Sequence, residues 1–147
     1  MLPDTYEKIL AQHELWFKSK GKQGERANLS STDFSYQDLR NRILVEADLR
    51  NSNLESANLG SADLRGASLQ DCKLTRANLS HANFEEADLM WADFTEANLD
   101  QANLEGANIQ GADFSTSRGL TRKQIQLAIR DDTTLFPKEF FQLHKDN

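Results

Sequence analysis

The chain has 147 residues, only 38% of them hydrophobic, and 23 acidic against 17 basic residues give a net charge of −6. A single cysteine excludes an internal disulfide framework, and no apolar run approaches the roughly 18 residues of a transmembrane helix. Residues 27–116 hold fifteen acids and six basic residues while both flanks are slightly basic, so direct binding to a nucleic-acid backbone is not expected, nor is membrane association.

Residues 1–26 read as a capping helix and an entry loop. Tyr6, Ile9, Leu10, His13, Trp16 and Phe17 follow helical spacing over residues 4–19. Asp4 with Glu7 three residues later predicts a capping-box start, and Lys18, Lys20 and Gly21 predict the stop. The apolar face predicts a lid over whatever follows. His13 on that face is expected to be a packed residue rather than a ligand, and Gly24 to loosen the entry. The first residues carry no basic-then-apolar leader, so the expected location is cytoplasmic.

From Ala27 to Thr116 every fifth residue is large and apolar, from Leu29 and Phe34 to Ile109 and Phe114, through eighteen consecutive units. A small residue, usually Ala, stands two positions before most centres, and Asn or Asp stands one before. Helices and strands repeat their faces on shorter periods, so a period of five predicts a coil of short extended sides. The small residue and the centre point inward, the Asn or Asp points outward, and the fifth residue turns the corner. No unit can bury its face alone, but stacked coils can.

These A-(D/N)-L-x-x units resemble the pentapeptide-repeat family. The resemblance implies an all-β solenoid, a right-handed quadrilateral β-helix. Four units make a coil of 20 residues, giving about 4.5 coils capped by an α-helix at each end. Residues twenty apart then stack: Phe94 lies under Phe114 on the face of Phe34, and Cys72 falls in a small inward slot between Ser52 and Ala92. A thiol there acts as a small hydrophobe.

Departures from the repeat mark candidate surfaces. Arg42 occupies a tight inward slot, where an unpaired charge is costly; its expected escape is toward the cap helix or solvent. Ile43 and Val45 turn outward, exposed to a partner or covered by the helix. Between Ala77 and Ser117 eight acids, including Glu85, Glu86, Asp88 and Glu96, occur with no Lys or Arg. Met90 and Trp91 fall within that acidic stretch as apolar anchors of the kind interfaces use.

Residues 117–147 read as a second cap and tail. Thr121 and Gln124 form a capping box ahead of a short helix carrying Ile125, Ala128 and Ile129. Arg122 and Lys123 at its start predict a nearby acid such as Asp113. Phe140, Phe141 and Leu143 are expected to pack on the last coil or to serve a dimer contact. The segment from Gly119 to Pro137 resembles the carboxyl-terminal closure of many bacterial pentapeptide-repeat proteins.

The sequence shows no nucleophile elbow, phosphate loop or metal-ligand spacing. The expectation is a non-enzymatic protein-binding or scaffold module with no cofactor and no metal. It meets an unknown protein partner and is a monomer or a weak dimer through the C-terminal region. Two alternatives stand beside it. One is an acidic DNA mimic acting on a topoisomerase such as gyrase. The other is a solenoid that merely supports functional terminal helices.

Overall fold

The computed structural model describes residues 2–144, with side chains described through Phe141. Parallel bridges join residues 20 apart, from Asn28 with Asp48 through Asn98 with Arg118. Each coil therefore has four five-residue sides. The bridges are isolated, and among the described residues no extended strand forms. The expected extended sides shrink to single bridge positions because a corner arrives every five residues.

The corners explain the beat. Every fifth residue from Ser31 to Gly111 has a positive φ. The amide of the following small residue donates around the corner to the preceding centre, as in Ala47 N–H to the Leu44 carbonyl at 3.0 Å. A turn with positive φ at its third residue favours glycine. Yet most corners carry other residues, including Tyr36 at 62° and Trp91 at 60°. Their amides donate to the next coil, Trp91 N–H to the Gln110 carbonyl at 3.0 Å, which helps hold the costly conformation.

The register defines four faces. Face one stacks Leu29, Leu49, Leu69, Leu89 and Ile109, and face two stacks Phe34, Leu54, Leu74, Phe94 and Phe114. Face three stacks Leu39, Leu59, Leu79 and Leu99, and face four stacks Leu44, Leu64, Phe84 and Leu104. All of these centres are buried, as are the alanines beside them. The Phe94 and Phe114 rings stack with centroids 4.4 Å apart. Cys72 is buried between Ser52 and Ala92, its Sγ donating to the Leu49 carbonyl at 2.8 Å, and burial pushes its thiol pKa up.

Helix α1 (Asp4–Lys18) closes the first end. Tyr6 packs against Phe34 with centroids 5.1 Å apart, and Leu10 and His13 are buried. The capping box at Asp4 does not form: Pro3 is the N-cap and no side chain caps the helix. Glu7 turns instead to Arg42, which approaches to 2.7 Å. The odd Arg of the first coil thus escapes to the cap helix, as one of its expected routes. Gly24 does not loosen the entry. At φ +73° it lets the chain pass against α1 so closely that a Cβ would lie 2.2 Å from the Gln12 carbonyl oxygen.

The ladder continues past Thr116. Asn108 bridges Ile129 and Asp113 bridges Leu135, offsets of 21 and 22 residues. The first added residue falls in the stretch that holds helix α2 (Arg122–Gln126), which replaces one side of the coil, and the second falls between Ile129 and Leu135. Its capping box between Thr121 and Gln124 forms as expected. Phe136 extends the stack above Phe114 at 6.1 Å, and Phe140 follows at 6.0 Å in a 3-10 helix (Lys138–His144). Arg122 does not pair with Asp113. It donates to the Phe140 carbonyl, while Asp113 accepts from Ser115. Leu143 lies outside the residues whose side chains are described.

Candidate functional site

The outward Asn and Asp before each centre have a local task. Their side-chain oxygens accept the amide two residues on, as in Glu85 N–H to Asn83 at 3.0 Å and Met90 N–H to Asp88 at 3.1 Å. They also bond between coils: Asn103 donates to Asn83 at 3.1 Å, and Gln70 donates to Asp88 at 2.7 Å. Asp88 is therefore held by the repeat itself. The Glu residues after the centres have no such role.

Charge divides the rod. Asp38, Asp48 and Asp63 pair with Arg40, Arg50 and Arg65 at 2.7, 2.6 and 2.7 Å, and Glu55 pairs with Lys73 and Arg76. Hydrogen bonds from Arg40 lower the Asp38 carboxyl pKa to about 2. Past Arg76 the chain supplies no Lys or Arg until Arg118. Among the described residues Glu85, Glu86 and Glu105 form no ion pair, whereas Glu96 lies 3.6 Å from Arg76.

Glu85, Glu86 and Glu105 gather along face four and its corner with face one, where Glu46 also lacks an ion pair among the described residues. Glu85 and Glu105 share the outward column of Val45 and Arg65, and Glu86 occupies the corner. Phe17, Val45, Glu46, Arg65, Glu85 and Glu86 line one open groove there. Val45 is half-buried beside Phe17 of α1, and Ile43 is half-buried near Glu14 and Arg42. Both are half-buried, as the equivalent positions of most other coils are, so neither stands out as an exposed apolar spot. Glu96 sits two faces away, at the corner of faces two and three.

Met90 and Trp91 lie on face one and at its far corner. Met90 is half-buried, whereas Trp91 is 54% exposed. The indole rests on Gly111 one coil on, where a Cβ would come within 2.3 Å of the ring. Trp91 is thus an exposed aromatic already seated on a glycine step. Nothing at position 91 alone points to that seat; only the 20-residue register places Gly111 beneath it.

Among the described residues no group of three or more His, Cys, Asp or Glu could hold a metal ion. No helix there is long and apolar enough to cross a membrane.

The family model for pentapeptide repeats (8 copies) matches residues 27–71 and again 72–111, more than half of the chain. The chain belongs to the pentapeptide repeat family. Members form right-handed quadrilateral β-helices, in line with the 20-residue bridges, and are in general structural or binding proteins. A pentapeptide repeat protein of the Arabidopsis thaliana thylakoid lumen is 30% identical over 80% of this chain and 91% of its own, at a TM-score of 0.43. Rfr23 of the cyanobacterium Cyanothece 51142 is 28% identical over 75% and 88%, at 0.36. QnrB1, a plasmid-mediated fluoroquinolone resistance protein, is 16% identical over 82% and 69%, at 0.44. No curated protein matches the sequence.

This pentapeptide repeat protein carries a second surface that the five-residue beat does not reveal. Leu127, Ile129, Leu135 and Phe141 are each more than half exposed. The first three occupy outward positions of the last, irregular coil, where earlier coils carry mostly polar residues. Their spacing breaks the period by one and then two residues, so a strict count of fives misses them.

Proposed function

We propose that the protein is a non-enzymatic binding module whose acidic edge, Glu85, Glu86 and Glu105, meets a basic surface of another protein, with Met90 and Trp91 as the neighbouring apolar contacts. One observation carries this reading. Asp38, Asp48, Glu55 and Asp63 in the earlier coils are neutralised by the chain's own Arg and Lys, and these three are not. Unpaired carboxylates on a rigid face steer a basic partner and select against acidic ones.

The test is cross-linking and co-purification from the native cell, with the triple variant Glu85→Lys, Glu86→Lys, Glu105→Lys beside the single variant Trp91→Ala. The expected result is a partner whose retention falls with salt, drops at least tenfold for the charge variant and weakens for Trp91→Ala, with both variants keeping wild-type unfolding curves. Equal recovery by wild type and charge variant rejects the acidic edge.

The same unpaired acids support mimicry of a DNA duplex toward a topoisomerase such as gyrase. Unchanged supercoiling by gyrase at micromolar protein rejects that reading.

Any self-association is assigned to the C-terminal region, because Leu127, Ile129, Leu135 and Phe141 are the aliphatic and aromatic exposure of that end. Sedimentation over increasing concentration should show a weak dimer that Ile129→Lys with Leu135→Lys abolishes. Association unaffected by the pair places the contact elsewhere.

A further inference from the structure

His13 is the polar group on which the first cap turns. It lies on the buried side of α1 with no exposed surface. Its Nδ1 accepts the Ala27 amide at 2.9 Å, at the point where the chain enters the first coil. Its ring stacks on Trp16 with centroids 5.4 Å apart. Its Nε2 is buried with no hydrogen-bond partner. An Nδ1 that accepts a backbone amide carries no proton, so the closed cap requires the neutral ring. Adding a proton there sets donor against donor in a buried site.

We propose that His13 is an acid-sensitive latch: protonation frees α1 from the first coil. The surroundings oppose the charged ring on balance. Burial acts most strongly against it, and the Arg26 guanidinium adds to that. The Val45 carbonyl and the Glu46 carboxylate favour the charged ring and are outweighed. The closed-state pKa therefore lies below the ordinary 6.5. Glu7 and Arg42 form a separate tie between helix and coil that does not involve the imidazole.

The direction follows from linkage. A pKa depressed in the closed state means that the open state binds the proton first as pH falls below 6.5. The latch is fully engaged above that value, and its contribution is lost as pH falls toward the closed-state pKa. With the open ring near its ordinary value, opening rises as pH falls below 6.5, by at most about tenfold at pH 5.5 relative to pH 8. An open cap uncovers Phe34 and the edge of the first coil, a surface able to accept another chain.

Hydrogen exchange on the full chain between pH 8 and pH 5, corrected for intrinsic rates, tests the proposal. In the wild type, protection of α1 and of the Ala27 amide should fall measurably, by at most about tenfold, by pH 5.5 while amides of the middle coils hold. His13→Gln should remove the pH dependence of α1. An equal pH response in that variant, or no response in the wild type, overturns the latch. Imidazole nitrogen shifts in the wild type give a reading that needs no variant. Nδ1 should be unprotonated at pH 7, and the ring should titrate together with loss of α1 protection. A His13 that protonates while α1 stays protected overturns the proposal.

Discussion

Phe94→Ala lowers the unfolding free energy by about 4 kcal/mol, within the range for deleting a fully buried aromatic side chain. Phe94 has no exposed surface, and its ring stacks on Phe114 at 4.4 Å with Leu74 in the coil before. A solenoid gains its stability from contacts between neighbouring coils. A void at this layer therefore weakens the contact above and the contact below at once. Phe94→Leu should cost far less, about 1 kcal/mol, because leucine already fills this column at positions 54 and 74. Urea denaturation compares the two variants. Equal losses would mean that the layer repacks around either side chain and that the Phe stack adds little.

Gly24→Ala should detach the cap. Position 24 has φ +73°, and a Cβ there meets the Gln12 carbonyl oxygen at 2.2 Å and the Trp16 amide nitrogen at 2.7 Å. Both are backbone atoms of α1, so no side chain can swing away to make room. The left-handed backbone adds its own cost for a residue with a Cβ. Together these amount to about 3 kcal/mol against attachment of α1, or roughly a hundredfold faster exchange of its amides. Gly21→Ala is the comparison. Its φ is +79°, but an added methyl meets only Trp16 Nε1 at 3.5 Å, an ordinary contact. That variant should lose about 1 kcal/mol. Comparable losses at the two positions would show that backbone strain, not the close approach, governs the entry.

Several features were readable because they repeat. The period of five led to the stacked coil, and with the four units per coil that the family resemblance implies it led to the small slot of Cys72 and to the pairing of Phe94 with Phe114. The escape of Arg42 was readable from its cost in an inward slot, though not its partner. Glu7 looked like half of a capping box, and only the meeting of α1 with the first coil assigned it to Arg42. Asp113 likewise looked available to Arg122. The structure spends it on Ser115, because an acid before a centre serves the amide two residues ahead.

The acidic stretch shows the same division. Composition marked Glu85, Glu86, Asp88 and Glu96 as one group. The coil separates them by position: Asp88 belongs to the local bonds of the repeat, Glu96 lies two faces away near Arg76, and Glu85 and Glu86 share an edge with Glu105. Ile43 and Val45, outward by count, are half-covered near α1.

By itself the sequence determined the coil and the identity of its buried column, while the four-sided register came from the resemblance to the pentapeptide-repeat family and was borne out by the 20-residue bridges. The coil and its column depend on side-chain size repeated at one spacing, and each unit states the same requirement. The tertiary structure decided what lies at the ends and on the outside. There the contacts join residues distant in sequence, such as His13 with Ala27, Glu7 with Arg42 and Trp91 with Gly111, and no local pattern encodes which pair will meet.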